Sequence, residues 1–174
     1  MFQINRPLLL IFIWGIICLP HISGAQELPP DQQEKIQEFS TSLTQAIKQN
    51  NHSAAAEYSG KMGYLYWNHG LYPQAVQNFE KAIVHNKNAG NLNGIKTLRY
   101  NLGLIYTDQE QYNLALKEFD QGIEIARELQ QKEGMLNGFT NKASALKSMG
   151  NYQQSLDVTQ KALTLAKELN NLKL

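Results

Sequence analysis

The residues able to do chemistry are few, and their spacing argues against catalysis. The four histidines stand at positions 21, 52, 69 and 85, and no two share the i, i+4 spacing of a helical metal site. The single cysteine, Cys18, lies in the apolar N-terminal stretch, so no disulfide framework is expected. No glycine-rich phosphate loop and no serine-nucleophile motif is present. The expectation is therefore no catalytic residue, no metal site, no cofactor and no enzyme activity. What does recur is a different chemistry. Asn101 and Asn141 lie 40 residues apart in otherwise similar surroundings. An asparagine amide donates and accepts at once, so a column of them can hold the main chain of an extended peptide without reading its side chains.

The elements that would carry such a column follow from a repeat. The stretch Gly63 to Ala82 returns 40 residues later as Gly103, Tyr106, Tyr112, Ala115, Phe119 and Gly122. It returns once more as Ala143, Leu146, Tyr152, Ser155, Thr159 and Ala162, with no insertion or deletion. Self-similarity at a fixed period marks a stacked repeat protein. Apolar spacings of three and four place helices at 53–69, 92–108 and 134–149, with partners at 72–88, 112–130 and 152–170. A further helix is expected at 31–49, where Ile36, Phe39, Leu43 and Ile47 share one face. Asp31 followed by Glu34 reads as its capping box after Pro29-Pro30. Between pairs, Gly90 and Gly134 are expected to end helices in left-handed turns. Small residues at 63, 103 and 143, at 75, 115 and 155, and at 82, 122 and 162 suit close backbone approach. Phe79 and Phe119 would fill the hollows between them.

Composition excludes several partners. The chain has 16 Lys+Arg and 15 Asp+Glu, and Arg6 is the only charged residue before Gln26. The remainder is electrically neutral and lacks the basic face of a nucleic-acid binder. It also lacks the basic amphipathic helix of a membrane-surface protein. The first residues form a separate unit. Leu8 to Leu19 is an uncharged run of twelve residues, Pro20 ends it, and Ser23-Gly24-Ala25 supplies small residues for a signal peptidase. Residues 1–25 are expected to be a signal peptide cleaved near Ala25, leaving an exported, periplasmic or secreted chain with no membrane insertion of its own.

The pattern Leu102-Gly103-x-x-Tyr106, Tyr112, Ala115, Phe119 resembles the tetratricopeptide repeat (TPR) family. So does Met62-Gly63-x-x-Tyr66, Gly70, Tyr72, Ala75, Phe79, Ala82. The usual period is about 34 residues; 40 is similar to the long-helix variety of kinesin light chains and of bacterial exported or sensor proteins. The resemblance covers residues 56–171. It implies an all-α fold: an α-solenoid of antiparallel helix pairs (a TPR superhelix) with about seven helices. The expected organisation is a linker and single capping helix over 26–52, then three repeats over 53–174, at about 56–95, 96–135 and 136–171. In this family the first helices of the pairs line a concave groove that binds peptides. By register the groove residues would be Lys61, Tyr64 and Trp67, then Thr97, Tyr100 and Asn101, then Asn137 and Asn141. The carboxylate-clamp form of the family wants basic residues where this chain has Asn137 and Asn141, which argues against that ligand.

The resemblance implies a non-enzymatic interaction module, an exported adaptor holding a protein or peptide segment. The C-terminal helix raises an alternative. Leu163, Leu165 and Leu169 fall on more than one face, and no polar capping helix follows. Residues 152–174 would then mediate self-association, or the chain would be the sensory N-terminal part of a membrane histidine kinase or regulator.

Overall fold

A computed structural model describes residues 27–171; the signal-peptide expectation falls outside them. Seven helices follow in order: α1 (Pro30–Lys48), α2 (His52–Asn68), α3 (Tyr72–Asn88), α4 (Leu92–Asp108), α5 (Tyr112–Glu128), α6 (Lys132–Ser148) and α7 (Tyr152–Asn171). From α2 onward each helix begins 20 residues after the last. The 40-residue period is thus two half-periods, each a helix and a tight connector.

The connectors explain the spacing. Every twentieth residue takes the left-handed conformation: Asn50, Gly70, Gly90, Glu110, Gln130 and Gly150, with φ between 53° and 83°. Three of the six are glycine, which carries no steric penalty there. Gly134 is not among them. It lies inside α6, buried against Ala126, and Gln130 makes the turn instead. The expected capping box is also absent. Pro30 occupies the first position of α1, where its missing N–H costs nothing, so the helix starts ahead of Asp31 and has no side-chain cap. True caps occur at Asn51 and Asn91, whose side chains accept from Ala54 N and Gly94 N at 3.0 Å.

The helices pack as antiparallel neighbours, tightest within α2–α3, α4–α5 and α6–α7, with α1 resting on α2. Within each of the first two pairs a phenylalanine inserts against a glycine. A Cβ at Gly63 would collide with the Phe79 ring, and one at Gly103 with Phe119; both rings are fully buried. Ala143 is tolerated at the third copy because Thr159 replaces the ring. There Ser155 Oγ donates to the Ala143 carbonyl at 2.8 Å. The array therefore loosens toward α7. Leu163 is 45% exposed, whereas its counterparts Ile83 and Ile123 are buried beneath the next helix.

Candidate functional site

The first helices of the pairs, α2, α4 and α6, share a stripe that packing leaves free. Its members are Glu57, Lys61 and Tyr64 on α2, their counterparts Thr97, Asn101 and Leu104 on α4, and Asn137, Asn141 and Ser144 on α6, all exposed or half-exposed. The stripe exists because the opposite sides of these helices are consumed. Leu65, Ile105 and Ala145 face the core, as do Gly63, Gly103 and Ala143.

Several stripe side chains meet. Asn101 Nδ2 donates to the Tyr64 hydroxyl at 2.5 Å, joining α2 to α4. One of the two amide protons is thereby used, and the other proton and the oxygen remain. Lys61 pairs with Glu57 at 2.6 Å and sits over the rings of Phe39 and Tyr58. The Glu57 hydrogen bond raises its already high pKa, so Lys61 is a cation at any ordinary pH. Thr97 turns its hydroxyl onto the Asn93 carbonyl at 3.0 Å. Trp67 is half-buried, edge-on to Phe79 and stacked on Tyr64 with centroids 6.3 Å apart. It supports Tyr64 more than it faces solvent. Asn137 is exposed and Asn141 partly so.

Tyr100 does not belong to the stripe. It is 8% exposed, its ring lies where Gly122 and Gly138 leave room, and its hydroxyl donates to the Gly134 carbonyl at 2.9 Å. Burial pushes its phenol up to about 12. Its register partners are Gly60 and Thr140, not Lys61 and Asn141. The sequence carried a sign of this. Glycine at 122 where 82 and 162 are alanine, and at 138 where 98 is leucine, is the space an inward tyrosine needs.

Two features were not expected. A pocket of about 440 Å³ opens between α2 and α4, with Gly60, Lys61, Tyr64, Asn86, Gly94 and Leu98 in its walls. At the far end of the first pair, His52 and His85 face each other, with Nδ1 atoms 3.4 Å apart. Burial, and then His52, lower the pKa of His85. Thirty-three residues separate the two, so no local pattern could reveal them. Among the described residues no cluster of three or more metal-ligating side chains occurs, and no helix is long and apolar enough to cross a membrane.

Stacked antiparallel helix pairs with an unused stripe along their first helices define an α-solenoid, an architecture whose repeats build extended binding surfaces. Residues 94–168 match the tetratricopeptide repeat family model. Among solved structures it is similar to BtubC (BKLC) from P. vanneervenii, with TM-score 0.71 and 12% identity over 80% of this chain and 58% of that one. It is similar to the N-terminal domain of stress-induced protein-1 (STI-1) from C. elegans, with TM-score 0.57 and 15% identity over 71% of this chain and 98% of that one. It is also similar to aspartyl phosphate phosphatase F from Bacillus subtilis, with TM-score 0.68 and 18% identity over 82% of this chain and 39% of that one. At these identities the likeness is one of fold. The chain spans less than two thirds of two of these three structures.

Proposed function

We propose that this protein is an exported adaptor that holds a peptide or protein segment along α2, α4 and α6. The observation that carries this reading is the stripe. Lys61, Tyr64, Asn101, Asn137 and Asn141 are surface residues in one register, carrying hydrogen-bonding and aromatic groups that the fold does not need for its core. The amides at 101 and 141 would bond the main chain of the bound segment. Tyr64, held in place by Trp67 and Asn101, would supply the aromatic anchor that interfaces favour. Export to the periplasm or outside the cell is supported by residues 1–25, through Arg6, the apolar run and Ser23-Gly24-Ala25. The test is a display library of random peptides selected on the wild-type chain and on Asn101→Ala with Asn141→Ala. Peptides retained by the first and lost by the second, at an unchanged melting temperature, are expected. Equal recovery would move the function off this stripe.

A second reading rests on α7. Tyr152, Leu156 and Leu163 are exposed, although Leu116 and Ile123, the counterparts of the two leucines, pack beneath α6. Self-association through this helix, alone or as part of a sensor, would show as a concentration-dependent sedimentation shift. Leu156→Glu with Leu163→Glu would abolish it.

A further inference from the structure

We propose that the crevice between α2 and α4 is a slot for a tyrosine side chain of the bound segment. This assignment rests on the groove reading above and names what one position of that groove takes.

The second junction of the array shows what such a crevice holds when the protein fills it itself. There Tyr100, on α4, lays its ring against Gly122 and Gly138 and bonds the Gly134 carbonyl at 2.9 Å. Forty residues earlier the same position is Gly60, and a Cβ built there meets nothing within 4 Å. Ala82 and Leu98 stand where Gly122 and Gly138 stood, so the floor is higher. Leu98 is only 5% exposed. Above Leu98 lies a pocket of about 440 Å³, within the size range of small-ligand sites. Whatever fills it enters from the groove, past Tyr64 and Lys61.

The walls select the shape. One is the bare backbone of Gly60. The other is Gly94, whose Cα is overlaid by the Asn86 carboxamide so closely that a Cβ would fall 2.7 Å from Cγ. Flat walls of backbone and amide suit a planar ring and leave gaps around a branched side chain. One end of the slot also carries a donor. Asn91 Oδ1 caps Gly94 N at 3.0 Å, which makes Asn91 Nδ2 a donor, and it gives its proton to Asn86 Oδ1 at 2.8 Å. That network fixes the Asn86 amide. Its Nδ2 is left over, with no acceptor among the described residues, on a side chain 6% exposed that lines the pocket. In the second junction the residue at this register is Ala126, a methyl group. A phenol oxygen can accept from Nδ2, a phenyl ring cannot, and an aliphatic side chain satisfies neither the donor nor the flat walls.

The test is an NMR titration of the amide-labelled chain with N-acetyl-L-tyrosinamide, N-acetyl-L-phenylalaninamide and N-acetyl-L-leucinamide. The tyrosine compound should shift Gly60, Gly94 and the Asn86 side-chain amide. It should bind about threefold tighter than the phenylalanine compound, within what one neutral hydrogen bond contributes. The leucine compound should be weaker again. Asn86→Ala should erase the preference for tyrosine over phenylalanine. Gly60→Leu fills the slot from its own helix and should abolish the shifts while the melting temperature holds. Equal shifts from all three compounds, or shifts that survive Gly60→Leu, would overturn the slot, as would none at all. Such a failure beside intact peptide capture by the Asn101/Asn141 stripe would leave the groove reading standing, and loss of both would end it.

Discussion

The two junctions between successive helix pairs solve one packing problem with different residues. At the first, Gly60 meets Ala82 and Leu98; at the second, Tyr100 meets Gly122 and Gly138. Where α4 contributes a large side chain, α5 and α6 step back to glycine. Where α2 contributes none, the following helices grow. The filling residue moves between helices, and the fill is complete only where Tyr100 provides it. The outcomes differ. Tyr100 brings α4 and α6 into contact, while the swap to glycine parts α2 from α4 by a pocket. The ring inside each pair does not vary: Phe79 and Phe119 occupy the same place against Gly63 and Gly103. Phe79→Ala and Phe119→Ala should therefore cost about 3–5 kcal/mol each, the largest effects expected here. Urea midpoints of the two variants check this. A large inequality would mean that the pairs differ in their interiors and not only at their junctions.

The next largest effect should separate the junctions. Gly122→Ala restores at the second junction the residue found at the first, but drives a methyl into the Tyr100 ring. Overpacking of this kind costs about 1–3 kcal/mol. The triple variant Tyr100→Gly, Gly122→Ala, Gly138→Leu transplants the whole first junction. It should recover most of the loss left by Gly122→Ala alone and open a second crevice, visible as new shifts in the same tyrosine titration. Recovery without a new crevice would break the link between the residue swap and the pocket.

The register explains what could be read from the sequence. α3 and α4 begin and end where their apolar spacing predicts, at 72–88 and 92–108. α5 stops at Glu128 and not at 130, because Gln130 makes a left-handed turn that composition does not announce. Gly134 looked like a stop signal and is a packing glycine, so α6 starts at Lys132. Of the groove residues, Lys61, Tyr64, Thr97, Asn101, Asn137 and Asn141 fall on one accessible stripe because a 40-residue period fixes their face. Trp67 and Tyr100 depart from it: Trp67 packs on Phe79 of the partner helix, and Tyr100 turns into the space left by glycines 22 and 38 positions away. The slot was invisible for a related reason. It consists of a missing side chain at 60 and of walls contributed by Asn86, Asn91 and Leu98 from beyond the local window.

A smaller effect of opposite sign is expected at Gly60. Inside α2 a glycine costs about 0.5–1 kcal/mol relative to alanine, because it surrenders more backbone freedom on folding. At Gly122 alanine collides with a ring; at Gly60 its methyl meets nothing within 4 Å. Gly60→Ala should therefore raise the urea midpoint while Gly122→Ala lowers it. Two shifts of the same sign would show that the crevice at Gly60 is not open in solution.

The smallest effect carries the comparison to the far end of the pairs. His52 and His85 face each other in the first pair, where the second places Leu92 and Ile125 against the core shared by α3 and α4. Burial and the neighbouring imidazole hold the pKa of His85 below its ordinary value near 6.5. The unfolded chain thus binds the proton more readily than the folded one, and stability must fall as pH drops below about 6.5. It is fully present above that value. The variant His52→Leu with His85→Ile gives the first pair the side chains of the second and removes the His85 imidazole, whose charging opposes folding, together with its neighbour. Its melting temperature should change less between pH 7.5 and 5.5 than that of the wild type, with the difference arising in the acid half of the range. Equal slopes would mean that His85 charges as freely in the folded state as in the unfolded one, and that the contact between the start of α2 and the end of α3 is looser than its apolar counterpart one pair along.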